Sequence, residues 1–183
     1  MLEQYLINHC APTLASLKTA NLFNCTAENP TALQMAVSRW QALLAPKGVE
    51  LLLLRKSGNR ALVYVYRPDR LALQQPGVAA FLAHCGYAGT APAACLDVLR
   101  RKLAASSDFP HEIGLFLGYP LGDVIGFIEN HSQNCLCSGV WKVYTNPEAA
   151  AGAFRKFSKC TRVYRRLFFG GQRNVEQLTV KSA

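Results

Sequence analysis

The sequence lacks any apolar run long enough to cross a membrane. Its densest apolar stretch, Val49–Leu54, is far shorter than the ~20 residues that span a bilayer. The first ten residues include Glu3 but no Lys or Arg, so they do not resemble a signal peptide. We therefore expect a soluble, cytoplasmic protein that does not associate with a membrane.

The common catalytic signatures are also missing. The sequence has no phosphate-binding loop, no dinucleotide glycine fingerprint after a strand, no HExxH and no GxSxG. Their absence argues against a standard nucleotide hydrolase, dehydrogenase, zinc protease or lipase. Whether the protein is an enzyme stays open, although the missing signatures favour a non-catalytic role. The identity of any cofactor is unknown at this point.

Acidic residues are scarce, and the positive charge is concentrated near the C-terminus. The chain of 183 residues has 20 Lys and Arg against 11 Asp and Glu, which gives a net charge of +9. From Trp141 onward nine basic residues face only Glu148 and Glu176, whereas the first 140 residues carry eleven basic and nine acidic side chains. An acidic partner is therefore expected at the C-terminal segment.

The seven cysteines are an odd number and are scattered along the chain. This pattern is typical of buried thiols in a reducing compartment rather than of a disulfide framework. Cys135 and Cys137 form a CxC motif, and a tight loop that brought them to His131 and Cys160 would provide four soft ligands. Because no second CxC or CxxC is present, we predict no metal site.

The pattern of apolar residues predicts one α+β domain over residues 1–183. It indicates a small, mostly antiparallel sheet of three to four strands, packed with about six helices. Asn29 and Pro30 predict the capped start of a helix that ends near Leu44. The clearest hairpin spans Val49–Tyr66, and its second strand is apolar on both faces, as in a strand covered on each side. Further helices are expected at 2–9, 71–83, 91–104, 111–117, 121–131 and 147–169. A loop and a short strand are expected over 10–23, and further strands at 138–144 and 175–180.

The long C-terminal helix, about 147–169, predicts a ridge of positive charge. At 100° per residue, Arg155, Lys159, Arg162 and Arg166 fall within about 60° of one another. Such a ridge suits phosphate groups or an acidic partner, although a solvated face would look the same. The near absence of acidic residues on the ridge favours a binding role.

The two short helices at 111–131 resemble a helix–turn–helix, but their chemistry argues against sequence-specific DNA binding. The second helix carries Asp123 and Glu129 and no Lys or Arg, whereas a recognition helix needs donors for base edges and phosphates. His111 beside Glu112 would suit proton transfer. The simpler interpretation is that Asp108 caps the helix and Glu112 complements its dipole.

Four blocks of sequence resemble one bacterial family of unknown function, numbered 3793. They are HCAPTLASLKTANLF (9–23), LVYVYRP (62–68), FPHEIGLFLGYPLGDVIGFIEN (109–130) and GVWKVY (139–144), with Lys159–Cys160 in the last long helix. The resemblance covers nearly the whole chain and implies a stand-alone cytoplasmic bacterial protein of a type common in anaerobic Firmicutes. The family's motif positions correspond here to Cys10, Lys18, Arg67, His111, Glu112, Gly118, Tyr119, Pro120, Asp123, Asn130, Trp141, Lys142 and Tyr144. The tripeptide Cys135–Cys137 is outside that pattern.

The leading hypothesis is that loops near the strand ends and the Gly-Tyr-Pro turn form a pocket for a small anionic ligand or cofactor. The ligand-binding residues would be the motif side chains Cys10, Lys18, Arg67, His111, Tyr119 and Lys142. Two alternatives remain. One is a thiol-dependent enzyme or redox protein that uses Cys10. The other is an adaptor that binds a protein or RNA through the ridge.

Overall fold

The computed structural model describes residues 1–26, 29–105 and 109–182. The proposed cap Asp108 lies outside these ranges. The chain divides into two compact units, and α7 (Pro147–Phe169) is the one helix of the described chain that begins in one unit and ends in the other. Unit 1 comprises Met1–Arg70 and Phe157–Ala183, and unit 2 comprises Leu71–Lys156. The single domain expected from chain length stays a prediction, because compact units need not be independent domains.

Unit 1 is a three-stranded antiparallel sheet with helices, in the order β1–β3–β2. Its central strand β3 is buried from Ala61 to Tyr66, as its two apolar faces predict. One face carries Ala61, Val63 and Val65, which join the main hydrophobic core. The elements of the unit, besides the C-terminal part of α7, are α1 (Leu2–Leu14), β1 (Ala20–Thr26), α2 (Pro30–Leu44), β2 (Glu50–Ser57), β3 (Arg60–Tyr66) and α8 (Val175–Leu178).

Unit 2 is mainly helical. Its elements, besides the N-terminal part of α7, are α3 (Pro76–His84), α4 (Pro92–Ala105), α5 (Ile113–Phe116), α6 (Leu121–Glu129) and the two short strands β4 (Cys137–Ser138) and β5 (Lys142–Val143), which pair antiparallel. The α+β class is therefore confirmed. None of the described helices has the length and apolar character that would let it span a bilayer.

The sequence predicted the ends of helices and strands most accurately where a capping residue or a turn lies at the end. Asn29 caps α2 by accepting hydrogen bonds from the backbone N–H groups of Thr31 and Ala32 at 2.9 and 3.2 Å. The prediction of a strand at 175–180 is wrong, because Asn174 and Gln177 form a reciprocal capping box that starts the short helix α8. The strand expected at 138–144 is instead the two-residue strands β4 and β5. The loop expected after Cys10 begins later, since α1 continues to Leu14.

Candidate functional site

A tight turn between α5 and α6 places the first residue of the candidate site in unit 2. Gly118 has φ of 77°, a left-handed conformation that glycine adopts without steric cost. The N–H of Tyr119 then donates to the carbonyl of Gly114 at 2.9 Å, which closes the turn. Pro120 follows and precedes α6. The sequence Gly-Tyr-Pro thereby orients the Tyr119 ring at the start of the second helix.

Asp123, in the first turn of α6, organises the segment that follows β4. It is 3% exposed, and its carboxylate accepts four hydrogen bonds. Oδ1 accepts from the N–H of Tyr144 (2.8 Å), the N–H of Thr145 (2.9 Å) and Oγ1 of Thr145 (2.8 Å), and Oδ2 accepts from Nε1 of Trp141 (2.7 Å). Burial alone would raise the pKa of Asp123, but these hydrogen bonds outweigh it and hold the pKa below its ordinary value. Asp123 is therefore a charged anchor for residues 141–145.

The anchored segment builds an aromatic wall. The rings of Tyr119 and Trp141 stack with centroids 4.9 Å apart, and Trp141 meets Phe154 edge-on at 4.6 Å. Burial raises the pKa of Tyr119 to about 12, so its ring stays neutral at physiological pH. The wall is consequently apolar, although the Tyr119 hydroxyl also donates to the carbonyl of Val140 at 3.3 Å.

Two motif residues hold the loop that connects α6 to β4. In this loop His131, Ser132 and Asn134 all have positive φ angles, of 47°, 64° and 57°, a conformation that L-residues rarely adopt. Nζ of Lys142 donates to the carbonyl of Ser132 at 2.5 Å. The hydroxyl of Tyr144 donates to the carbonyl of Gln133 at 2.9 Å. These tertiary hydrogen bonds help to hold the loop in its strained backbone conformation.

These elements enclose a cavity of about 210 Å³ within unit 2. The Tyr119–Trp141 wall forms part of its lining, and His111 and Phe127 form another part with their rings 5.0 Å apart. The remaining lining residues are Phe109, Ile113, Gly114, Leu117, Asp123, Val124 and Lys142. The cavity is therefore mainly apolar, with a few polar groups that could orient a ligand.

Three of the six predicted ligand-binding residues line this cavity, namely His111, Tyr119 and Lys142. Glu112, the neighbour of His111, turns away into a buried ion pair. Its carboxylate lies 2.5 Å from Nζ of Lys102 and accepts a hydrogen bond of 3.3 Å from the hydroxyl of Tyr87. His111 therefore lines the cavity, whereas Glu112 contacts Lys102 and Tyr87. The geometry gives no support to proton transfer by the two residues as a pair.

Arg67 belongs to unit 1, where it ties together separate parts of the backbone. It is completely buried, and each N–H of its guanidinium can be matched to an acceptor. Nε donates to the carbonyl of Thr13, and the two terminal nitrogens donate to the carbonyls of Leu14, Lys47 and Val180 and to Oγ of Ser182, at distances from 2.7 to 3.3 Å. With its five donors engaged, Arg67 has none left for a ligand. The structure therefore gives its predicted role in ligand binding no support, and these contacts indicate a structural role.

Cys10 and Lys18 are also buried in unit 1. Cys10 has no exposed surface, and burial raises the pKa of its thiol well above the ordinary value, only partly offset by the charge of Lys18. Burial also lowers the pKa of Lys18 to about 7, and its Nζ donates to the carbonyl of Ala20. A nucleophilic Cys10 would need an accessible thiolate, so the structure gives the thiol hypothesis no support.

The predicted ridge is present on α7. Arg155, Lys159, Arg162 and Arg166 are all exposed, and none forms an ion pair with a residue in the described part of the chain. In unit 1, the opposite side of the helix packs on the core through Tyr164 and Phe168. The helix therefore has one packed face and one cationic face, as its periodicity predicts.

The cysteines form no metal centre within the described ranges. All seven are free thiols, and no group of three or more His, Cys, Asp or Glu side chains is arranged to hold a metal ion among the residues described. Cys135 and Cys137 lie at half-buried positions beside and within β4.

Sequence reasoning missed two residues that matter most to the cavity. Asp123 entered as an argument against DNA binding and as a motif position, and Trp141 only as a motif position; neither was expected to line a site. Their hydrogen bond joins positions that are 18 residues apart. The signal that could have found them is the family motif itself, which contains both. No local pattern pairs a helix carboxylate with an indole in a later loop.

Comparison with known protein families confirms the resemblance from which this motif was taken. Residues 6–179 match the family described as "Protein of unknown function (DUF3793)". No curated protein and no solved structure shows significant similarity to the chain. Because the match covers nearly the whole chain, the protein belongs to the DUF3793 family.

Proposed function

We propose that this member of the DUF3793 family binds a small anionic ligand, built on a single planar ring, in the cavity of unit 2. One observation carries the proposal. Three polar residues of the family motif, His111, Tyr119 and Lys142, line the same cavity as the aromatic surface of Trp141. Because ligand sites are typically apolar cavities with a few convergent polar groups, the assembly of these residues around one cavity supports a binding role.

The size of the cavity limits the ligand to about one ring. An apolar cavity of about 150 Å³ accommodates benzene, and this one measures about 210 Å³. A ring with one small substituent therefore fits, whereas a dinucleotide does not. The stacked Tyr119 and Trp141 rings provide a flat surface on which such a ring can pack.

The charges in the lining favour an anionic substituent at the Lys142 side. The ammonium of Lys142 uses one of its three N–H donors on Ser132, so two donors remain for a ligand. Asp123, the one carboxylate among the described lining residues, has hydrogen bonds to both oxygens. It therefore offers little to a cationic ligand. Its lowered pKa and the hydrogen bonds to both of its oxygens also make it a poor general base, which supports binding rather than turnover.

Seven free thiols suit a reducing environment, which supports action in the bacterial cytoplasm.

The experiment uses Trp141 as its own reporter. The chain has two tryptophans, so Trp40→Phe leaves only the one in the cavity wall. Benzoate, the probe, has nine heavy atoms, and at roughly 0.5 kcal/mol per atom it should bind with a Kd of about 1 mM. We expect benzoate to change Trp141 emission saturably and neutral benzamide to bind at least ~10-fold more weakly, because a charge-assisted hydrogen bond to Lys142 is worth about 1.5–3 kcal/mol.

Two variants distinguish the effect of the Lys142 charge from the effect of the hydrogen bonds that hold the loop between α6 and β4. Lys142→Met should reduce benzoate affinity to the level of benzamide. Tyr144→Phe removes the other hydrogen bond to the same loop without altering a lining residue, so it should leave benzoate binding nearly unchanged. Equal binding of benzoate and benzamide, or no saturable response to either up to tens of millimolar, would contradict the proposal.

A second candidate function rests on the ridge of α7. Four exposed cations without ion pairs in the described chain favour an acidic partner, either a protein or RNA. Reversing the charge at Arg155, Lys159, Arg162 and Arg166 should abolish association with that partner and leave the circular dichroism spectrum unchanged. Association that persists in the reversed variant would exclude the ridge.

A further inference from the structure

A second cavity lies in unit 1, at the tip of the β2–β3 hairpin, and has a volume of about 400 Å³. Its described lining residues are Asn24, Thr26, Arg55, Ser57, Arg60, Ala61 and Leu62. All of these except Ala61 belong to the sheet face opposite Val63 and Val65. None of these residues contributes to the cavity of unit 2.

The strand register explains why these side chains meet. Asn24 pairs with Leu62, which also pairs with Arg55, so these three residues form one row across the sheet. Thr26, Arg60 and Ser57 pair in the same way and form a second row two residues along. Because side chains two residues apart point to the same face of a strand, both rows project to the same side.

A β-bulge is responsible for the presence of Arg55 on this face. The register of β2 against β3 shifts between Leu53, which pairs with Val63, and Arg55, which pairs with Leu62. Under strict alternation Arg55 would share the face of Leu53, on the side of Val63 and the core. The bulge redirects Arg55 to the opposite face. Bulges commonly redirect a side chain in this way, often at binding sites.

Both guanidiniums are available to a ligand. The guanidinium groups of Arg55 and Arg60 form no hydrogen bond or ion pair with any residue of the described ranges. They occupy diagonal positions on neighbouring strands, about 7–8 Å apart at the backbone, so their long side chains can approach one oxyanion together. Hydroxyl groups of Thr26 and Ser57 lie in the row of Arg60 and add neutral donors.

We propose that this cavity, formed by Arg55 and Arg60 with the adjacent hydroxyl groups, binds the phosphate of a small phosphomonoester. Two arginine side chains match a dianionic group with several acceptor oxygens, since each presents paired donors. No carboxylate is found among its described lining residues. The volume exceeds what a phosphate alone would fill, and Leu62 in the central strand offers an apolar surface to the body that carries the phosphate.

Calorimetric titration with glycerol 3-phosphate, inorganic phosphate and glycerol tests this proposal. We expect the two phosphates to bind and glycerol to give no heat beyond dilution. Arg55→Gln and Arg60→Gln should each weaken glycerol 3-phosphate binding by ~10-fold or more, because each removes charge-assisted hydrogen bonds. Arg55→Lys, which keeps the charge and loses the paired donors, should have an intermediate affinity. The arginine Nε–H signals of both residues should shift in the ¹H–¹⁵N spectrum of the saturated protein.

Lys56→Gln is the matched control. It removes the same charge from the same strand, but Lys56 pairs with Ala61 and lies in the row of the opposite face. It should therefore bind glycerol 3-phosphate with nearly wild-type affinity. Equal weakening by Lys56→Gln and Arg55→Gln would show general charge attraction and overturn the site. The proposal would also be overturned if neither glycerol 3-phosphate nor inorganic phosphate bound. Binding of an oligoribonucleotide alone would overturn it too, because the ligand would then be a nucleic acid.

Discussion

Replacing Asp123 by Asn should weaken unit 2 and loosen its aromatic wall. The two side chains have nearly the same shape, so Oδ1 of Asn can still accept from the N–H groups of Tyr144 and Thr145. The amide nitrogen, however, replaces the oxygen that accepts from Nε1 of Trp141 at 2.7 Å. Two donors then face each other, and the indole loses its only acceptor known within the described chain.

The magnitude follows from the four hydrogen bonds. A bond to a charged group contributes about 1.5–3 kcal/mol net, and a neutral one about 1 kcal/mol. Asp123→Asn therefore weakens three bonds and removes the fourth, while it relieves the cost of burying a carboxylate. We expect the free energy of unfolding of unit 2 to fall by about 2–4 kcal/mol, a large part of the 5–15 kcal/mol typical of a domain.

Urea unfolding of the Trp40→Phe protein measures this loss, because Trp141 in unit 2 is then the only tryptophan of the chain. The Trp141→Phe protein, followed through Trp40, serves as the control, because it already lacks the indole N–H that donates to Asp123. In that background Asp123→Asn should therefore cost less than it does in the Trp40→Phe protein. The Asn variant should also show altered Trp141 emission before unfolding, since the indole is no longer anchored.

Acidity gives a second measurement of the same interaction. The pKa of Asp123 is lowered in the folded protein, so its contribution is fully present above the unfolded pKa of about 3.9 and is lost as the pH falls through the folded value. The wild-type and Asn proteins should therefore differ at pH 7, and the difference should shrink as the pH falls below about 3.9 and through the lowered pKa of Asp123. Equal stability at neutral pH, or a difference that stays constant into acid, would refute the reasoning.

Two further predictions concern packing and the buried arginine. Gly126→Ala should cost about 1–3 kcal/mol, because a Cβ there would lie 2.6 Å from the Tyr144 ring. Gly152→Ala, whose Cβ meets nothing closer than 4.0 Å, should instead stabilise its helix by about 0.5–1 kcal/mol; equal effects of the two substitutions would contradict this account. Arg67→Met should destabilise unit 1 by about 3–5 kcal/mol, as measured by urea unfolding, because it removes the five hydrogen bonds that the charged guanidinium donates. A Met variant as stable as the wild type would show that the backbone carbonyls find other donors.

The family resemblance identified the important positions without distinguishing their roles. Arg67 and Lys142 both entered as donors for an anion, because a sequence shows which groups a residue carries and not which acceptors surround it. In the structure, the donors of Arg67 are matched to backbone carbonyls and a hydroxyl, whereas Lys142 lines a cavity. The difference depends on where distant segments of the chain meet.

Several features depend on local chemistry, and the sequence alone determined them. Asn29 and Pro30 start α2 because a side-chain oxygen satisfies the free N–H groups of the first turn. The two apolar faces of β3 require cover on both sides and so place it at the centre of the sheet. The ridge of α7 follows from helical periodicity. In each case the relevant residues are neighbours along one element.

The tertiary structure alone decided the two cavities. Asp123 reaches Trp141 across an intervening loop, and a bulge in β2 moves Arg55 from the side of Leu53 and Val63 to the opposite face of the sheet. A bulge moves every later side chain of its strand to the opposite face. No residue type in the segment LLLLR (51–55) predicts that a bulge occurs there. Contacts between distant positions depend on how whole elements pack, so periodicity and composition do not encode them locally.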